Sequence, residues 1–147
     1  MGPMPVSGIS VTDDLIEAYN AMKKGKKTHY IKYAIENEAL IIKETKTIDD
    51  EFDIKTDIPG IFDTEECCYV VLDLKWGSDS SGNKQKLVFI SWAPDNAKVK
   101  AKMLHSSSDE LLKSKLEGLG AKVQANDASE VTYEAVLEAA KQYMTSK

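Results

Sequence analysis

His105, Ser107 and Asp109 place a base, a hydroxyl nucleophile and a carboxylate within five residues, the side-chain types that acyl transfer requires. Their spacing works against it. On a helix His105 and Asp109 share one face while Ser107 points away, and His29, the other histidine, opens a strand with no evident partner. Two histidines, two cysteines and no glycine-rich phosphate loop leave no constellation for a metal or a nucleotide. The chain is expected to be no enzyme and to need no cofactor or metal, with a small hydrolase as the distant alternative.

The other chemistry in this region is charge. Between Lys84 and Lys115 seven lysines stand against three acids, Asp95, Asp109 and Glu110, a local +4 on a chain of net charge −5. Such polarity fits one face that meets an acidic partner and another that keeps the protein in solution. All 19 basic residues are lysines. Without the bidentate contacts of arginine, and with acidic charge overall, nucleic-acid recognition is not expected.

The elements that must position these residues fit one domain, since 147 residues at 42% hydrophobic and 29% charged suffice for a core. Residues 1–6 read as a flexible extension or an added remnant, Met1 to Met4 preceding a second start, and residues 7–147 as the domain. Cys67 and Cys68 are adjacent in an apolar run, so on a strand they point to opposite faces and are badly placed to bond each other. Both are expected as buried free thiols in a reducing compartment. No apolar stretch approaches the roughly 20 residues of a membrane span, and no signal peptide opens the chain. A soluble cytosolic monomer is the expectation.

Asp13 and Asp14 after Thr12, with Val11 and Ile16 at staple spacing, predict a helix over 13–24 that buries Leu15, Tyr19 and Met22 and stops at Gly25. From Thr28 the period changes to two: Ile31, Tyr33 and Ile35 face one way, Tyr30, Lys32 and Ala34 the other, and a turn at 36–38 returns the chain as a hairpin. Thr47 with Asp50 resembles a capping box and Ile48 pairs with Phe52, which predicts a short helix before Pro59. Residues 67–74, apolar on both faces, read as a central strand. A glycine- and serine-rich tip at 77–83 leads into a strand over 85–92.

Residues 98–103 alternate charged and apolar, as a strand would, yet Pro94 and the alanines and lysines favour a helix by a narrow margin. Ser107 with Glu110 reads as the start of a second helix closed by Gly118. A short strand near Val123 and a helix over 132–144, with Val131 and Val136 at staple spacing, complete the chain. The order implies an α/β fold in which a mixed sheet is sandwiched between helices.

Ser7-Gly8-Ile9, Asp13-Asp14, Tyr69, Trp92-Ala93-Pro94-Asp95-Asn96-Ala97, Lys100-Ala101-Lys102-Met103, Ser107-Ser108 and Ser129-Glu130-Val131 together resemble the actin-depolymerising factor/cofilin family, in the family's order from Ser7 onward. The resemblance implies a single domain with a central mixed sheet of five strands and helices on both faces, and makes the ambiguous segment the long helix that lies on actin. It implies a protein that binds actin monomers, preferably ADP-bound, and filaments, and promotes depolymerisation. A relative that binds the filament-branching complex, or filaments only, is the alternative.

By the same resemblance Ser7, Gly8, Ile9, Lys100, Lys102, Met103, Ser107 and Ser108 form the surface for monomers and filaments. Two positions on a helix are about 200° apart, so Lys100 and Lys102 should straddle the contact. Ser7 is the candidate phosphorylation site, where a phosphate would repel an acidic partner. Lys84, Lys86, Glu138 and Lys141 are the filament-specific candidates. Asp109 stands where many members carry lysine, which reverses a charge at the contact face. After Glu138 the chain continues Ala139-Ala140-Lys141-Gln142, less basic than in members that sever well, so monomer binding is expected with weak severing. Lys23, Lys24, Lys26 and Lys27 are candidate phosphoinositide ligands or simply a solubilising loop. A cytoskeleton-associated cytoplasmic location follows.

Overall fold

Acidic side chains open the first helix and a left-handed glycine ends it. The computed structural model describes residues 9–25, 27–78 and 82–145. Helix α1 (Asp13–Lys23) carries Asp13 and Asp14 in its first turn and buries Leu15, Tyr19 and Met22, while Gly25 takes φ +103°, a conformation that favours glycine. Thr12 stands at the N-cap, but its hydroxyl donates to the Asp14 carboxylate instead of accepting from the backbone.

Strands β1 (Thr28–Glu36) and β2 (Ala39–Thr47) are joined through Asn37 and Glu38, both at positive φ, the tight hairpin geometry that matches strand twist. Strands β3 (Cys68–Ser78) and β4 (Gly82–Trp92) form the second hairpin. Helix α2 (Val99–Lys115) then crosses back to β5 (Ala121–Ala125), and α3 (Tyr133–Thr145) closes the described chain. The five strands lie in the order β2-β1-β3-β4-β5. All pairs are antiparallel except β4 with β5, where α2 supplies the crossover that a parallel pair requires.

Strand alternation divides the interior into two layers. Ile31, Tyr33, Tyr69, Val71 and Phe89 face Leu15 and Tyr19 of α1 and Leu112 and Leu116 near the end of α2. Val70, Leu72, Val88, Ile90 and Trp92 face Val136 and Ala140 of α3 and the 3-10 turn Ile58–Ile61. The expected faces of β1 hold: Tyr30 joins the α3 layer and Lys32 reaches across to the Ile61 carbonyl at 2.7 Å.

Two helix expectations are corrected. Thr47 and Asp50 form a turn, with Asp50 Oδ2 accepting from Thr47 N at 2.8 Å, but no helix follows; the next helical turn is the 3-10 turn at Ile58. Phe52 is drawn instead against Tyr30, ring centroids 5.2 Å apart, and Ile48 is left exposed. The other is the break before Ser107. Helix α2 runs unbroken through Ser107, whose Oγ donates back to the Met103 carbonyl at 2.8 Å, the alternative bond that serine makes inside a helix.

Candidate functional site

The lysine-rich half of α2 is aimed by what precedes it. Trp92 Nε1 donates to the Asp63 carbonyl at 2.7 Å and its ring packs on Phe62 at 5.3 Å, which pins the end of β4. Ala97 N then bonds the Pro94 carbonyl at 3.0 Å and Lys102 N the Lys98 carbonyl at 3.0 Å, so a tight turn feeds directly into the helix. Lys98 caps it without a side-chain bond, and no acid occupies the first turn. The positive end of the helix dipole is therefore not offset by an acid of its own first turn and is reinforced by lysines.

On this half Val99 is 70% and Met103 66% exposed. Four residues apart, they form one apolar stripe. Lys100 is exposed and Lys102 partly buried, its Nζ 3.3 Å from the Asp95 carbonyl. With Ser106 and Ser107 these residues line a shallow, open depression of about 790 Å³. Lys100, Lys102, Met103 and Ser107 are thus brought together on the surface.

The inner side of the same helix is polar and buried. Tyr69 Oη donates to the His105 carbonyl at 2.5 Å, and the two rings stack at 4.1 Å. His105 Nε2 lies 2.9 Å from Ser91 Oγ, and burial pushes the imidazole down to about 4, against the opposing pull of the Asp109 carboxylate. The ring is neutral at pH 7. Asp109 Oδ2 pairs with Lys113 at 3.2 Å, and Lys113 also reaches Glu110 at 2.8 Å.

Burial bears on three of the expected residues. Ser108 is 1% exposed, so its side chain is not on the surface, whereas that of Ser107 is. Asp109 is 6% exposed; its charge lies in the inner cluster, paired with Lys113, and not on the exposed side of the helix. Ile9 is 1% exposed, its side chain packed in the α1 and α2 layer. Ser7, Gly8 and Lys26 lie outside the described residues. His105 and Asp109 share the inner face while Ser107 is exposed, so the hydroxyl that histidine meets is that of Ser91.

The filament-specific candidates lie elsewhere. Lys84 and Lys86 are exposed on β4, and by strand alternation from Val88, Ile90 and Trp92 they point to the α3 side of the sheet. The stem of Lys86 lies against Gly120, where a Cβ would stand 2.8 Å from its Cδ. Glu138 and Lys141 are exposed on α3. The two candidate surfaces therefore occupy opposite layers.

Lys23 folds back, its Nζ donating to the Glu117 carbonyl at 2.9 Å and lying 5.3 Å from the Tyr19 ring, while Lys24 and Lys27 are exposed. Both cysteines are free, as expected, but only Cys68 is buried, with its thiol pushed up to about 12 by desolvation. Val99 was the residue that the motifs did not point to. Its signal is the four-residue spacing to Met103, obscured by the strand-like alternation around it.

Residues 8–141 match the family model of cofilin/tropomyosin-type actin-binding proteins. A cofilin of Kluyveromyces lactis is 36% identical over 138 residues, covering 92% of this chain and 94% of that protein. Actophorin of Acanthamoeba castellanii is 33% identical over 139 residues, 92% and 97% of the two chains. Among solved structures, a crystal structure of Streptomyces griseoflavus cofilin matches with a TM-score of 0.82 at 33% identity, covering 92% of this chain and 99% of that one. Sheet order, the helical layers and the run from Trp92 to Ser107 are accounted for together: the chain belongs to the cofilin/tropomyosin-type family of actin-binding proteins.

Proposed function

We propose that this protein binds actin monomers and filaments through the N-terminal half of α2 and promotes filament disassembly, in association with the cytoskeleton. The observation that carries the reading is the bare Val99 and Met103 stripe flanked by Lys100 and Lys102. An apolar stripe on a helix seats in a groove of its partner, and marginal lysines choose an acidic rim and speed encounter. The helix start without a side-chain cap supports the same choice, because N–H groups at a helix N-terminus donate to a partner's carboxylate.

Disassembly requires no covalent step. A protein that binds ADP-loaded subunits or a twisted filament state more tightly than the alternatives shifts the polymer towards that state by its differential affinity alone. Among residues 139–145 only Lys141 is basic, which supports monomer binding with weak severing. The buried position of Asp109 removes one reason for that expectation and leaves the other. A phosphoinositide role draws less support now that Lys23 is committed to Glu117.

The test is the affinity for ADP- and ATP-loaded actin monomers, with filament co-sedimentation alongside. Lys100→Ala with Lys102→Ala should weaken monomer binding by at least tenfold and leave the melting temperature in place. Unchanged binding in the double variant refutes the surface.

A further inference from the structure

The pairing of β1 with β3 stops at Tyr33 opposite Tyr69, although β1 continues to Glu36 against β2 and β3 starts at Cys68 against Trp92. The two strands therefore part at this end of the sheet. Between them lies a cleft of about 460 Å³, within the range of ligand pockets, about 300–1,000 Å³. Ile35 and Cys67 stand on its parted sides, and Ala101 and Leu104 of α2 line it as well.

Each wall limits what can fit. Glu36 and Ala39 flank the two-residue turn at Asn37 and Glu38 and form the hydrogen-bonded pair that closes it, so by alternation the N–H and C=O of Ile35 point away from β2 and into the gap. Among the described residues no strand pairs with β1 on that side beyond Tyr33. An open strand edge is a template for a further extended segment.

Side chains set the character of that segment. Ile35, Ala101 and Leu104 are partly buried and give the cleft an apolar side. Five carboxylates and three lysines border it. Of those lysines, Lys43 is paired with Glu36 and Lys32 donates to the Ile61 carbonyl, whereas Glu38, Glu65 and Glu66 are exposed at the mouth. The field at the entrance is acidic and favours a basic visitor.

We propose that this cleft is a peptide site, which takes an extended basic segment of a partner protein as an added strand. The segment's main chain bonds Ile35, its lysine or arginine side chains meet Glu38, Glu65 and Glu66, and the small apolar residues between them rest on Ala101 and Leu104. Neither Val99 nor Met103 lines the cleft, so the segment leaves the bare stripe of α2 uncovered. The site does not depend on the actin-binding reading.

The probe is acetyl-Lys-Val-Lys-Val-Lys-amide, titrated into the ¹⁵N-labelled protein. It should shift the amides of Ile35 and Cys67 and, once most of the protein is occupied, slow alkylation of the partly exposed Cys67 thiol by about fivefold. Cys68 is buried and serves as the unreactive reference. The acidic peptide acetyl-Glu-Val-Glu-Val-Glu-amide, and the basic peptide N-methylated at every residue, should do neither. Glu65→Lys with Glu66→Lys should weaken binding of the basic peptide about tenfold with the melting temperature in place, since both side chains are exposed. Equal binding of the acidic peptide removes the charge selection, and equal binding of the N-methylated peptide removes the strand edge; either overturns the proposal. So does a basic peptide that neither shifts these amides nor protects Cys67 at about 1 mM.

Discussion

Ser91 Oγ on β4 and His105 Nε2 on α2 lie 2.9 Å apart inside the protein, so the sheet holds its crossover helix by a polar contact as well as by packing. This geometry has a pH signature. Burial holds His105 at about 4, below its unfolded value near 6.5. Between the two values the unfolded chain binds the extra proton, so stability is complete above about pH 6.5 and falls as pH drops towards 4. The loss attributable to His105 is about 2–3 kcal/mol by pH 4.5. His105→Phe keeps a ring on Tyr69 and has no proton to gain. Urea unfolding at pH 7 and pH 4.5 should show the stability gap between wild type and variant narrowing in acid.

Lys113 and Asp109 form a nearly buried pair at 3.2 Å. Removing one partner strands the other charge, so Lys113→Ala should cost about 3 kcal/mol. Thermal melts at neutral pH check it. A change within about 0.5 kcal/mol, the range of surface substitutions, would mean that solvent reaches Asp109.

Val99 and Met103 are bare in the isolated protein, so their truncation should leave folding unchanged. Val99→Ala and Met103→Ala are each expected to weaken actin-monomer binding by about 1–2 kcal/mol, with denaturant midpoints at the wild-type value. Equal losses of stability and binding would place the two side chains in a structural role.

Gly120 has no left-handed φ to excuse it; its constraint is space. A Cβ there would stand 2.8 Å from Lys86 Cδ and 2.9 Å from Lys86 Cβ. Gly120→Ala should therefore destabilise by about 1–2 kcal/mol and displace the Lys86 stem, which urea unfolding and the Lys86 side-chain NMR signals would report.

Weak severing is expected from the alanine-rich course of α3 after Glu138. Replacing Ala139 and Gln142 by lysine should increase the breaks counted per filament by light microscopy and leave monomer affinity unchanged. Vigorous severing by the unaltered protein would refute the expectation.

The sheet and the first helix were legible because their signals are local: a two-residue period in β1, a doubly apolar β3, and acids and a glycine bounding α1. Helix α2 was not. Its first turns alternate like a strand, and Ser107 with Glu110 imitates a helix start, because serine offers the same hydroxyl to a cap or to the carbonyl four residues back. Contacts from Tyr69 and Ser91, which are remote in sequence, favour one continuous helix. The Thr47 and Asp50 pattern misled for a related reason: its hydrogen bonds form, but Phe52 gains more by packing on Tyr30 than by continuing a turn. At the site, the resemblance pointed to Lys100, Lys102 and Met103, whereas burial separated Ser107 from Ser108 and removed Asp109 and Ile9 from the surface. Burial depends on what packs above a residue, and adjacent residues of one motif need not share it.

Because α2 is one rigid rod, its gripped half holds its bare half. The stack on Tyr69, the Ser91 bond and the packing of Leu112 set where Val99 and Met103 stand before any partner arrives. Ordering a backbone residue costs about 1–2 kcal/mol, and a partner landing on this helix does not have to supply it. Little conformational entropy is forfeited on contact, so a patch of modest area can still bind well.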